Sequence, residues 1–353
     1  MSGVELLCAH QNEGITCNEA KFTCTGCRLV HYCRPKCQQD HWAKHKANCK
    51  SPYMKKSWKP LWYVQGRDAA FEDQGFLNLE VKYLWGNTPA IDILVLEKHE
   101  DVSNNKDLHI LFAASSDIRN LRMTIASLPI EYRQTVNITA NDLDTNVTAR
   151  NVILLLIAFA VEEPGEAVDC KLHVWFAAQL TRSHFELLDS KIRPLNQEAL
   201  IQSPYNRIHT WNFGNHSVWL TLTQSAWSSM LDRLQVPDGL TSSKARNVRG
   251  KIARAESRVD YLDRGLFDLP PAHRMGLLKY RNDSIILPFD HPRSEFIIPN
   301  LARYRSLFAD ALRCWAHKNV LSTSSGLASN DLYGKLCYHV KDVLRRFVAA
   351  YLR

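Results

Sequence analysis

Seven of the chain's ten cysteines fall within its first 49 residues, and this clustering constrains the fold more than any other feature. They stand at Cys8, Cys17, Cys24, Cys27, Cys33, Cys37 and Cys49, with His45 four residues before the last. No basic leader followed by an apolar stretch opens the sequence, so no secretory signal is expected. The chain is accordingly placed in the cytosol or nucleus, where thiols stay reduced. Clustered cysteines in that setting read as metal ligands and not as a disulfide framework. Zinc takes four thiolate or imidazole ligands in a tetrahedron, and a structural site keeps no open water position. Eight such ligands make two sites. The Cys24-x-x-Cys27 pair fits a tight turn with both sulfurs inward, while Cys33/Cys37 and His45/Cys49, each spaced i, i+4, are expected to share a helix face.

The run Cys24-Thr-Gly-Cys27-Arg-Leu-Val-His-Tyr32-Cys33-Arg-Pro-Lys-Cys37-Gln38, followed by His41-Trp42, His45 and Cys49, resembles a MYND-type zinc finger. The resemblance implies cross-bracing, with Cys8, Cys17, Cys33 and Cys37 on one zinc and Cys24, Cys27, His45 and Cys49 on the other. It also implies two structural zinc ions and a groove for short proline-containing peptides of partner proteins, lined by Gln38 and Trp42. Trp42 reads equally well as a core aromatic of a very small fold. The family's first pair is usually Cys-x-x-Cys, whereas eight residues separate Cys8 from Cys17. His10 and His41 are therefore alternative ligands for the first site. The cysteines are preferred because a longer first loop is easily tolerated.

Residues 1–50 form the expected finger and residues 51–60, with a proline near each end, a linker to a domain over 61–353. Of the net charge of +8, six units belong to the first sixty residues, which hold ten Lys/Arg against four Asp/Glu. This favours acidic partners without naming nucleic acid. The longest apolar run, Val152 to Val161, is too short to span a bilayer. Cys170, Cys314 and Cys337 are far apart and are assigned to apolar cores.

Beyond the linker the pattern is α/β. Leu108 to Ala113 reads as a buried strand, Ser115, Ser116 and Asp117 as N-caps, and Ile118, Leu121, Ile125 and Leu128 as a helix stopped by Pro129. Val136, Ile138 and Ala140 alternate as a second strand, and a helix apolar nearly all round follows through Val147 to Val161. Strand, helix, strand, helix with short connections predicts a parallel sheet covered by helices. Ile208 to Phe213 and Ser217 to Leu222 read as a hairpin turning at Gly214-Asn215, and Thr223 as the cap of a helix carrying Trp227, Met230, Leu231 and Leu234. Ile285 to Phe289 is a further strand candidate. Helices are expected over about 303–319 and 330–352, the second with a stripe of Leu332, Leu336, Val340, Val343 and Phe347.

Leu84-Trp-Gly-Asn-Thr-Pro-Ala-Ile-Asp-Ile93, Leu111-Phe-Ala-Ala-Ser-Ser-Asp-Ile-Arg-Asn120, Asn141-Asp-Leu-Asp144, Ala149-Arg-Asn151, Ser203-Pro-Tyr-Asn-Arg-Ile-His-Thr-Trp211, Ile286-Leu-Pro-Phe289 and Ser325 to Lys335 together resemble an uncharacterised domain. That domain accompanies MYND fingers in many fungal proteins, and a related sequence forms the N-terminal part of an axonemal dynein assembly factor. The resemblance implies a Rossmann-like, methyltransferase-like core with a helical C-terminal extension, and a role in complex assembly or regulation. The leading expectation is an interaction adaptor or regulator without enzymatic activity. The competing readings are an S-adenosylmethionine-dependent methyltransferase and a transcriptional regulator using the basic stretch Lys244, Arg246, Arg249, Lys251, Arg254 and Arg258. No aromatics interleave in that stretch, so a solvated helix face is preferred to a nucleic-acid surface. Against a cofactor, no glycine occurs between Gly86 and Gly165, where a nucleotide cradle would need one.

Overall fold

The computed structural model describes residues 6–11, 17, 19–72, 85–86, 88–99, 106–202, 208–253, 255–303, 310–323, 326 and 328–351. The chain opens with β1 (Phe22–Thr23), β2 (His31–Tyr32), α1 (Pro35–Cys49) and α2 (Leu61–Gln65). Next come α3 (Leu96–His99), β3 (Leu108–Phe112), α4 (Arg119–Ala126), β4 (Val136–Ala140), α5 (Thr145–Ala160) and α6 (Pro164–Phe176). After β5 (Gln179–Leu180), α7 (Arg182–Leu187) passes through a π turn into α8 (Arg193–Gln202), and β6 (Ile208–Phe213), β7 (His216–Thr221) and α9 (Gln224–Asp232) follow. The C-terminal part holds α10 (Ser242–Ala253), α11 (Val259–Phe267), α12 (Pro271–Asp283), β8 (Ile298–Pro299), α13 (His317–Leu321) and α14 (Leu332–Tyr351).

Backbone packing divides the chain into two compact units, each assembled from separate stretches. Unit 1 comprises Met1–Lys82, Ser243–Ser294 and His317–His339, and unit 2 comprises Tyr83–Ser242, Glu295–Ala316 and Val340–Arg353. This division differs from the expected order of finger, linker and following domain. Residues 51–60 are packed, because their aromatic and apolar side chains have somewhere to go. Pro52 opens a 3-10 turn, and Tyr53 and Met54 lie on the finger's core. The Tyr53 and Trp58 rings lie 5.3 Å apart, and the Arg274 guanidinium lies 4.8 Å over Trp58 while donating to the carbonyls of Tyr53 and Lys55. In the same unit, Asp260 on α11 accepts both guanidinium nitrogens of Arg67 and the amide of Ala70, and Asp263 accepts the amide of Leu61 at the start of α2.

Ile285 to Phe289 is buried as its composition demands, but it is not a strand. Pro288 lacks an amide donor. The amide of Phe289 donates instead to the carboxylate of the fully buried Asp331 at 2.8 Å. Asp331 also accepts from the amide of Gly334 in the first turn of α14, and burial pushes its pKa up to about 7.

Unit 2 is organised by α5. Its sequence is apolar nearly all round, and Ile153, Leu154, Leu156 and Ile157 are fully buried, each contributing about 2 kcal/mol through burial. Asp144 supplies the N-cap, its carboxylate accepting from the amide of Asn146 at 2.8 Å. β3 and β4 pair in parallel from Leu108↔Val136 to Phe112↔Ala140, as the alternation implies. The strand is less buried than expected, since only Ile110 is covered and Leu111 is 64% exposed. The hairpin of β6 and β7 turns at Gly214-Asn215, with Gly214 at φ 58°, and Thr223 caps α9. β5 and β8 form a short antiparallel pair.

Three expectations change. The sheets formed by the described residues are all two-stranded, so the Rossmann-like sheet is reduced to the single β3–α4–β4 parallel unit. Ser115, Ser116 and Asp117 do not cap α4, because the Asp117 carboxylate is taken by the guanidinium of Arg119, which also reaches Thr88. The expected helix over 303–319 becomes a 3-10 turn at Ala311–Cys314 followed by α13, while 304–309, like 203–207, Leu84, Asn87, Arg254, Ser325 and Leu327, lies outside the described residues. The stripe on α14 and the cysteines at 170, 314 and 337 are buried as expected. No helix among the described residues is long and apolar enough to cross a membrane.

Replacing Asp144 with Ala removes the cap of α5 and should cost about 1 kcal/mol. The thermal midpoint should fall by about 2 °C in a circular-dichroism melt. Asp144→Asn, which keeps a capping oxygen, should melt close to the parent protein.

Candidate metal centre

Six of the eight ligands converge because two short strands and a helix present them from different directions, and Cys8 and Cys17 come from the segment before β1. β1 and β2 pair at Phe22↔Tyr32 and Thr23↔His31, and the turn between them carries Cys24 and Cys27. That turn is closed by the amide of Arg28 on the carbonyl of Cys24 (2.8 Å) and the amide of Cys24 on that of Val30 (3.0 Å). Gly26 lies at its tip, where a Cβ would come within 3.0 Å of the Cys49 sulfur, so the turn can approach α1 only without a side chain there. α1 begins at Pro35, a residue suited to a first helical turn because it has no amide to satisfy. His45 and Cys49 both project from α1, one turn apart. Cys33 does not: it precedes the helix, and only Cys37 of that pair is helical. The i, i+4 spacing there joins a loop residue to a helix residue.

Two donor groups result. Cys8, Cys17, Cys33 and Cys37 form one, and Cys24, Cys27, His45 and Cys49 the other, with the donor atoms of each within 4.8 Å of one another. The Cys33 and Cys37 sulfurs are 3.4 Å apart, the Cys24 and Cys49 sulfurs 4.0 Å, and the Cys27 sulfur lies 3.3 Å from His45 Nε2. A tetrahedron with zinc–sulfur bonds of about 2.3 Å has edges of about 3.8 Å, so the donors fit the ion. Ligand pairs alternate between the groups along the chain, which is the expected cross-brace. His10 and His41 lie outside both groups. The His41 ring nitrogen Nδ1 is 3.1 Å from the hydroxyl of Tyr32, and the His10 ring packs against that of His41. Cys8 and Cys17 thus complete the first site despite their spacing.

Electrostatics makes the same demand. Burial pushes Cys27 up and Cys17 up to about 12, which keeps these thiols protonated unless a cation sits among them. Cys24 is opposed by burial too, yet the amides of Cys27 and Gly26 hold it below the ordinary thiol value. His45 is lowered to about 4 by burial and by nearby His41, so its imidazole is neutral and ready to bind metal. The finger binds two zinc ions through these eight side chains, and neither site leaves a coordination position open.

Gln38 and Trp42 lie one turn apart on α1, both half-buried. The Trp42 ring meets the His45 ring edge-on at 6.1 Å, so it packs against a zinc ligand while part of its surface stays accessible. The spacing of the cysteines gave no sign of Asp290 and Asn330. Asp290 accepts the amide of His31, and Asn330 donates to the carbonyls of Cys27 and Arg28. Met275 and Phe289 complete the apolar core around Leu29, Val30 and Tyr32. The finger is thereby built into unit 1.

Removing zinc with a chelator should therefore loosen more than residues 8–49. In hydrogen–deuterium exchange, amides of α12, Phe289 and residues 328–335 should lose protection with the finger, while those of α5 keep theirs. Loss confined to residues 8–49 would show the finger to be autonomous.

Residues 8–49 match the family model described as the MYND finger, and residues 84–180 match a domain of unknown function, DUF4470. No curated protein and no solved structure matches the chain. All eight zinc ligands lie within the first of these matches, and the N-terminal segment is a zinc-binding MYND finger.

Proposed function

We propose that the chain is an interaction adaptor or regulator whose finger takes an extended, proline-containing segment of a partner protein across α1 at Gln38 and Trp42. The carrying observation is that both zinc sites are closed by four protein ligands, so the metals shape a surface and have no position left for a substrate. A polyproline segment lacks amide donors and presents carbonyls. The indole of Trp42 offers it an apolar face, and the carboxamide of Gln38 offers donors to its carbonyls. The ordered conformation of such a segment keeps the entropic cost of docking low. The excess of Lys and Arg in the first sixty residues favours acidic flanks. Free thiolate ligands suit a reducing cytosol or nucleus. We extend the reading to complex assembly, the role implied by the resemblance drawn from the sequence of the later region.

The basic stretch offers less to nucleic acid, because Arg249 is engaged within unit 1 on the carbonyl of Asn282 and the hydroxyl of Ser284. A methyltransferase reading meets a similar obstacle at the turn after β3. The Ser116 amide donates to Asp142 and the Ala114 amide to the Asn141 side chain, with Ala114 and Ser116 both in left-handed backbone. The groups that would cradle a cofactor are bonded to one another.

Trp42→Ala should retain both zincs and abolish capture of proline-containing peptides, which the parent binds in the micromolar range or weaker. Elemental analysis counts the zinc and fluorescence anisotropy of labelled peptides reads the binding, and unchanged binding would place recognition elsewhere. Calorimetry on the full chain should show no micromolar binding of S-adenosylmethionine. Binding that Asp142→Ala abolishes would revive the enzyme reading.

A further inference from the structure

Unit 2 gathers a second kind of donor set at one point. Asp169 and His173 stand one turn apart on α6, and His184 comes from α7, positioned by Thr181, whose hydroxyl accepts its amide. The three donor atoms lie within 4.8 Å of one another. His184 Nε2 is 2.9 Å from one carboxylate oxygen of Asp169, and His173 Nε2 is 3.8 Å from the other. The two imidazole rings lie 5.0 Å apart, and Phe296 packs against both, at 4.8 and 6.2 Å. The imidazoles are buried, whereas the side chain of Asp169 is 39% exposed. The cluster is therefore held on its apolar side and reachable from its carboxylate side.

Adjacent ligand atoms bound about 2.1 Å from a metal lie about 3.0 Å apart in octahedral and 3.4 Å in tetrahedral geometry. The 2.9 Å between His184 Nε2 and Asp169 Oδ2 matches such an edge, while His173 Nε2, 3.8 Å from the other carboxylate oxygen, would move inward by a few tenths of an ångström to join it. One carboxylate oxygen already has a cation on it: the ammonium of Lys341, from α14, lies 2.5 Å from Asp169 Oδ1. Lys341 is a flexible point charge on a long stem. A divalent ion could displace it and still balance the carboxylate. Two imidazoles and one carboxylate are a donor set suited to zinc, cobalt, nickel or ferrous iron and poorly suited to calcium or magnesium.

We propose that Asp169, His173 and His184 form a third metal site, distinct from the finger, that binds a divalent transition metal of the zinc class in exchange for Lys341. Three protein ligands leave at least one position for water, which the exposed side of Asp169 can admit.

The test uses the full chain with its finger loaded, dialysed against increasing zinc and assayed by elemental analysis. A third equivalent should bind more weakly than the two in the finger. The double variant His173→Gln/His184→Gln should return the stoichiometry to two with an unchanged circular-dichroism spectrum. Asp169→Asn, which preserves side-chain size, should do the same if the double variant folds poorly. Lys341→Met removes the competing cation and should tighten the third equivalent several-fold. Cobalt at this site should add visible d–d absorption without the thiolate charge-transfer band that the finger produces. Saturation at two equivalents in both the parent and Lys341→Met would overturn the site. So would a third equivalent that survives both His173→Gln/His184→Gln and Asp169→Asn.

Discussion

Burial opposes charge on Cys17, Cys27 and Cys49 of the finger, and unit 1 takes its form from the way that cost is met. A pocket that drives Cys27 and Cys17 upward is unfavourable for thiolates until a divalent cation is present. Once the cation is bound, the turn of Cys24 and Cys27 is held against α1, and β2 is fixed by its place between ligands of both sites. Leu29, Val30 and Tyr32 are then presented as an apolar surface, which Met275 and Phe289 cover. Asp290 and Asn330 satisfy backbone groups of the same finger.

Unit 2 faces two of its buried cations with aromatic rings. Arg122 is fully buried with its guanidinium 4.3 Å from the Trp175 ring, and Lys171 is fully buried with its ammonium 4.6 Å from that of Phe347. Burial lowers both, and for Arg122 it does so to about 9 although Asp117 pulls the other way. Facing a charge with an aromatic quadrupole is a weaker compensation than pairing it with a carboxylate. It nevertheless lets α4 and α6 hold basic side chains in a core where Trp175 also packs against Phe176 and Trp315.

What could be read from the sequence was governed by local rules. The pairing of β3 with β4, the hairpin at Gly214-Asn215, and the caps at Asp144 and Thr223 each depend on residues within a few positions of one another. The eight zinc ligands belong to the same class, since their chemistry is written in type and spacing. Failures came where distant partners decided. Ile285 to Phe289 is apolar enough for a strand but is met by the Asp331 carboxylate rather than by a neighbouring strand. Cys33 and Cys37 keep helical spacing although the helix starts between them. Asp169 and His173 advertise a shared helix face, but His184 joins them from another element, and no periodicity reports such a meeting.

The bond from the Asn330 side chain to the carbonyl of Cys27 joins positions 303 residues apart. During synthesis the finger can acquire its zinc once Cys49 has emerged. At about 5–20 residues per second, the segment bearing Asn330 follows only after tens of seconds. Until Met275, Phe289 and Asn330 have been made in turn, Leu29, Val30 and the carbonyl of Cys27 lack the groups that cover them. A finger assembled early is thus a nucleus awaiting its own C-terminal half. Truncation or ribosome stalling after Cys49 and before Met275 would release a protein whose metal sites are complete and whose apolar flank is bare.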